Sequence, residues 1–190
     1  IGAAFVKANA LESFYIPKNA AFESTSTFEY STGLKYVEFH DEWAYTLKGF
    51  EFYGCTALET VKLASTTTSI PEKTFYNCYS LKSIDIPSGV TSIGKQASAF
   101  NSNVQNNTIN LTLTLPSGLT TVGDYFLQNN NSLVAINFTG TSLTAIDSPA
   151  FENCKRLPKV VLPEGLTTLG NCAFLNCSVL TSVTFPSTLT

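Results

Sequence analysis

The side chains best suited to chemistry here are one histidine, five cysteines and a short acidic run, and their spacing limits what they can do. His40-Asp41-Glu42 sets an imidazole beside two carboxylates, the groups of acid–base catalysis. Adjacent residues rarely converge on one substrate atom, and His40 stands where a proline ends the equivalent segment elsewhere. It reads as a turn residue. Cys55, Cys78, Cys154 and Cys177 each lie three residues before a leucine: Leu58, Leu81, Leu157 and Leu180. Ala8 fills the same slot before Leu11. A small residue replacing a thiol points to a buried column, with disulfides Cys55/Cys78 and Cys154/Cys177 as the alternative. The odd cysteine count argues against a complete disulfide framework. No histidine or second cysteine completes a tetrahedral set, so no metal or other cofactor is expected. Cys172 is out of register and reads as a free, partly buried thiol. There is no G-x-S-x-G, P-loop or Cys/His metal spacing, and the chain reads as a non-enzyme. The N-x-S/T strings at Asn106 and Asn130 matter only in a eukaryotic secretory setting.

What positions these residues is a repeat. Its opening leucines are Leu11, Leu34, Leu58, Leu81, Leu133, Leu157 and Leu180, mostly 23 or 24 residues apart. The longer gap after Leu81 holds one further repeat, with Asn110 at its opening position and a strand over Leu111–Leu115. The preceding repeat is lengthened by an Asn-rich insertion at residues 101–109, which reads as a loop. A fixed period in this range marks a solenoid in which each turn contacts only its neighbours. The whole chain, residues 1–190, is then one domain of roughly eight turns of about 23 residues, α/β in type and dominated by short parallel strands.

Within each repeat the first, fourth and sixth positions alternate as strand residues facing inward, as in Leu58, Val61 and Leu63 or Leu180, Val183 and Phe185. Prolines follow several strands (Pro17, Pro87, Pro116, Pro163, Pro186) because proline cannot donate to a ladder. A T-x-I-G stretch supplies a second stripe: Val90 and Ile93, Leu119 and Val122, Leu143 and Ile146, Leu166 and Leu169. Gly94, Gly123 and Gly170 suit a tight bend there. Phe5, Phe52, Phe75, Phe100, Phe126, Phe151 and Phe174 form a third column. Both termini cut through a repeat and no methionine is present, so the sequence reads as a fragment.

The net charge is −3 and Arg156 is the only arginine, which does not suit nucleic acid, where phosphate contacts need clustered cations. No apolar run is long enough for a transmembrane segment.

The strings IPSGVTSIG, from Ile86 to Gly94, and LPEGLTTLGNCAFLNCSVL, from Leu162 to Leu180, carry a likeness to a known family. They resemble the BspA-like, or Treponema pallidum-type, leucine-rich repeats, and the resemblance covers nearly the whole chain. It departs where HDEWAYTLKGF (His40–Phe50) replaces the P-x-x-V-T segment, with Trp43 expected to fill that turn. The resemblance implies a secreted or cell-surface protein of bacteria or protozoa, with adhesion as the implied role.

The second, third and fifth positions of each strand point outward. Second positions read Glu12, Lys35, Glu59 and Lys82, and fifth positions Tyr15, Glu38, Lys62 and Asp85. In an in-register parallel stack these are cross-strand neighbours, and alternating charge is what such a stack selects. Further along, Leu111, Val134, Ala135, Pro158 and Val161 read as an apolar strip with Lys159 beside it, and exposed apolar patches often mark contact surfaces. Tyr15 and Tyr36 add amphipathic contact residues of the kind found at binding hot spots. The favoured function is a noncatalytic cell-surface or secreted recognition scaffold, adhering through this face to an extracellular protein or glycan. The alternative is a carbohydrate-active enzyme on a parallel β-helix. It would need clustered acids with lysine or arginine on one outward face, and alternating charges with one arginine supply no such cluster.

Overall fold

The inward-facing leucines and the prolines that follow them set where each strand begins and ends. The structure, a computed structural model, describes residues 1–97 and 109–190. The Asn-rich insertion therefore lies, except for Ile109, outside the described residues, as does Phe100. The first part contains β1 (Ser13–Ile16), β2 (Tyr36–Phe39), β3 (Thr60–Lys62), β4 (Ser69–Ile70), β5 (Ser83–Asp85) and β6 (Ser92–Ile93). The second contains β7 (Leu111–Thr114), β8 (Thr121–Val122), β9 (Leu133–Asn137), β10 (Ala145–Ile146), β11 (Lys159–Val161), β12 (Thr168–Leu169) and β13 (Ser182–Thr184). Among the described residues all regular structure is strand and none is helix, so the solenoid is β rather than α/β in type.

The strands stack in two columns. In the first, β1-β2-β3-β5 form one parallel sheet, and β7-β9 and β11-β13 form parallel pairs. The second column is β4-β6-β8 followed by β10-β12. Pairing is in register with the repeat: Val37↔Val61 and Val61↔Ile84 match the fourth positions of successive turns. The core runs the length of the chain between the columns, from Ile16 through Val61 and Val122 to Leu162.

The aromatic column stacks ring upon ring. Phe5–Phe28, Phe28–Phe52 and Phe52–Phe75 have centroids 5.2, 5.5 and 5.5 Å apart and lie within 9° of parallel. Phe28 is thus a member that sequence reasoning overlooked. Phe126 is not one. The slot is marked by an N–H that donates to the next turn, as Phe52 donates to Thr74 and Phe151 to Ala173, and in that turn Leu127 fills it by donating to Ala150. Phe126 takes the preceding, alanine slot and meets Phe151 edge-on at 6.2 Å.

Just before each cysteine slot the backbone is left-handed: Tyr30 (φ 57°), Gly54 (72°), Asn77 (62°), Asn129 (61°), Asn153 (60°) and Asn176 (58°). Asparagine tolerates this conformation better than other side chains, which explains the recurrent Asn-Cys pair. Cys172 (φ 59°) occupies a second left-handed position in its turn, which accounts for its being out of register, and it is exposed rather than partly buried. The glycines of the T-x-I-G stretch answer to close packing more than to a bend. A Cβ on Gly94, Gly123 or Gly170 would lie 2.6, 2.5 or 2.5 Å from a backbone nitrogen of the turn before.

One residue lies on the opposite side to that expected, and one inward residue is uncovered. Leu111 pairs with Leu133 across a bulge and is fully buried, so Leu111 rather than Asn110 takes the opening-leucine slot. It leaves the proposed apolar strip because this repeat is one residue out of step at its start. Phe185, an inward sixth position, is 57% exposed because β13 pairs on one side only, with β11.

Candidate binding surface

The outward positions of the first strand column form a polar surface with a few aromatic and aliphatic members. Its N-terminal half is an ion-pair ladder. Lys35 meets Glu12 at 3.0 Å, Lys82 meets Glu59 at 2.5 Å, and Lys62 meets Glu38 at 2.9 Å. Each pair joins residues of adjacent turns, the arrangement the alternating sequence called for. Tyr36 donates its hydroxyl to Glu38 at 2.8 Å. Glu38 therefore accepts from Lys62 and Tyr36, and those hydrogen bonds, that from Lys62 first, lower its pKa. The bond to Glu38 raises that of Tyr36. Asp85 follows Lys62 in the same register column but forms no ion pair among the described residues.

Tyr15 and Tyr36 stand on neighbouring strands and are 52% and 39% exposed. Val161 is 60% exposed, and Pro158 and Lys159 are exposed beside it. Val134 is the extra residue of the β9 bulge, and it and Ala135 are half-buried. The structure therefore brings Pro158, Lys159 and Val161 together, keeps Val134 and Ala135 partly sheltered, and sets Tyr15 and Tyr36 at the opposite end of the stack.

Two grooves open on this face. One, of about 610 Å³, is lined by Asn137, Phe138, Val161, Glu164, Thr184 and Phe185 among others. The other, of about 710 Å³, runs from Tyr36 and Lys62 past Ser83 and Asp85 to Thr112 and Thr114. It lies where the ladder breaks: β5 pairs with β3 and β7 with β9, and no ladder joins β5 to β7 among the described residues. Thr112, Ser83 and Thr60 were not singled out in the sequence. The signal was there in the third strand position, where Ser13, Thr60, Ser83, Thr112 and Ser182 are all small hydroxyl residues.

Most of the groups that first suggested chemistry serve the backbone or a neighbouring turn. His40 accepts the Glu42 N–H at Nδ1 (3.1 Å), and the Glu42 carboxylate is tied to Lys18. The thiols are free. Those of Cys55, Cys78, Cys154 and Cys177 donate to the carbonyls of Phe28, Phe52, Leu127 and Phe151 one turn back, at 3.0–3.2 Å. Ser31 fills the same slot and donates to the carbonyl of Phe5 in the same way. Burial pushes the Cys55 thiol up to about 12 and raises Cys78 and Cys154 as well, which keeps them protonated donors. Asn130, a member of this slot, is fully buried and accepts the N–H groups of Ser132 and Leu133, so it is no glycan acceptor. Trp43 fills the atypical turn, donating its indole N–H to Ala20 at 2.7 Å. Among the described residues no cluster of three or more His, Cys, Asp or Glu is placed to hold a metal, and no helix is long and apolar enough to cross a membrane.

In-register parallel strands, a stacked phenylalanine column and opening leucines define a leucine-rich-repeat solenoid. The family model described as "BspA type Leucine rich repeat region" matches six copies over residues 2–112 and 105–190, and the chain belongs to this family. Solved structures show the same fold. A leucine-rich repeat protein from Bacteroides ovatus is 24% identical with a TM-score of 0.80, over 95% of this chain and 47% of that one. The Treponema pallidum leucine-rich repeat protein is 20% identical with a TM-score of 0.74, over 90% of this chain and 78% of that one. A leucine rich cell surface protein from Faecalibacterium prausnitzii is 19% identical with a TM-score of 0.54, over 100% of this chain and 65% of that one. The chain thus spans about half the length of the Bacteroides protein. Comparison with curated proteins gives no significant match.

Proposed function

We propose that this chain is a noncatalytic recognition module of a cell-surface or secreted protein, adhering to an extracellular protein or glycan through the outward face of its first strand column. The observation that carries this reading is the face itself. It is accessible along the described strands, and it carries exposed Tyr15, Tyr36 and Val161 and two open grooves. The histidine and the column thiols are committed elsewhere: His40 caps a turn and the thiols bridge turns. The placement outside the cell draws support from the Faecalibacterium neighbour, described as a cell surface protein, and from a further neighbour described as a pneumococcal vaccine antigen.

The test is binding of the purified chain to an immobilised panel of matrix proteins and glycans. Saturable binding to one class, lost on substitution of an outward strand residue (Val161→Glu in one groove or Asp85→Asn in the other) with the circular dichroism spectrum unchanged, is the expected result. Silence across the panel, or turnover of a glycan by the purified chain, would contradict it.

A further inference from the structure

The groove between β5 and β7 has a chemistry of its own, and it narrows the kind of ligand this face takes. Its volume of about 710 Å³ falls within the range of about 300–1,000 Å³ usual for small-molecule sites. Five hydroxyls, from Thr60, Ser83, Ser88, Thr112 and Thr114, line it, and each can both donate and accept. Tyr36 stands at one end, half exposed, with its hydroxyl tied to Glu38, so that its ring is held in place. Pro87 and Pro116 lie along its length. An aromatic surface beside short hydroxyls and a carboxylate suits a ligand with apolar C–H faces and many hydroxyls. The lining is mixed, with Ile84, Pro87 and Pro116 offering apolar surface beside the hydroxyls, which the C–H and O–H groups of a sugar can both use.

The charges narrow the class further. Lys62 is committed to Glu38 at 2.9 Å, so that pair cancels. Asp85 forms no ion pair among the described residues and leaves the groove one negative charge in excess. A carboxylate can accept two sugar hydroxyls through charge-assisted bonds, and it repels a carboxylated or sulfated sugar. The geometry points to a neutral oligosaccharide as the occupant of this groove, with Asp85 and Thr114 binding its hydroxyls and Tyr36 packing on a ring. This rests on the recognition reading above and names the ligand class for one part of that face.

The experiment is titration calorimetry of the full chain with neutral probes (cellotriose, maltotriose, mannotriose, N-acetylchitotriose and lacto-N-tetraose) and with anionic ones (sialyllactose and a sulfated trisaccharide). Binding of at least one neutral probe, weakened tenfold or more by Asp85→Asn and by Thr114→Val with melting temperature unchanged, is the predicted result. Tyr36→Phe keeps the ring and should retain binding, while Tyr36→Ala should lose it. A preference for the anionic probes, or wild-type affinity in both Asp85→Asn and Thr114→Val, would overturn the assignment. So would failure of every neutral probe. If those probes fail while a panel protein binds and is lost on Val161→Glu, the groove assignment falls and the recognition reading stands. If the panel is silent as well, both fall.

Discussion

Glu51 is chemically unlike its repeat equivalents. It holds the slot that is alanine at Ala97, Ala150 and Ala173, and it is fully buried. Its carboxylate accepts the backbone N–H groups of Lys48 and Gly49. Burial nevertheless dominates and raises its pKa from 4.5 to about 7, against the lowering effect of those bonds and of the Lys48 charge. A carboxyl with a raised folded pKa binds more protons in the native state than in the unfolded one. Its contribution is therefore present in full below pH 4.5 and is lost as pH rises through about 7. Chemical denaturation across that window should show stability falling by about 3 kcal/mol as an order of magnitude. Glu51→Gln should flatten the slope, and an unchanged slope would place the titration elsewhere. The thiols offer a second check at this scale. A thiol reagent should modify exposed Cys172 quickly in the native chain and reach Cys55, Cys78 and Cys154 only after denaturant is added. Fast modification of the latter three would contradict the buried column.

At the scale of the strand and its turn, the repeat unit was largely legible from spacing. Leucines at the first position and alternation at the fourth and sixth gave the strand, its inward side and its register. Alternating Glu and Lys at outward positions gave the cross-turn ion pairs. What escaped was local. A β9 bulge moved Leu111 inward, and nothing in a stretch of Leu, Thr and Leu marks which leucine opens the repeat. Phe126 and Leu127 are adjacent apolar residues, and only the hydrogen bond from Leu127 to Ala150 shows which one joins the column. The hydroxyl groove was obscured because serine and threonine are ordinary strand residues, and the break between β5 and β7 is a matter of stacking. Two predictions belong here. Phe52→Ala removes a fully buried ring stacked on both sides and should cost about 3–5 kcal/mol in denaturant unfolding. Phe185→Ala, at an exposed ring, should cost far less. Lys62→Glu sets a carboxylate between Glu38 and Asp85 and should lower the melting temperature more in low salt than in high salt. A salt-independent loss would mean that the ladder is not electrostatic.

For the whole molecule, stacking turns short strands that could not bury their own apolar residues into one long core, and it leaves one face free of that duty. The proposed role follows from this division. Inward positions are held by packing, whereas outward positions vary from turn to turn and set what the face can bind. A paired comparison on the immobilised panel of matrix proteins and glycans tests this most directly. Val161→Glu alters the strand face, and Tyr45→Ala removes an exposed aromatic residue from the turn that follows β2. The account predicts that binding is lost with Val161→Glu, or with Asp85→Asn where the ligand is a neutral glycan, and kept with Tyr45→Ala. Binding that survives both strand-face substitutions and is lost with Tyr45→Ala would place recognition off the strand face and contradict it.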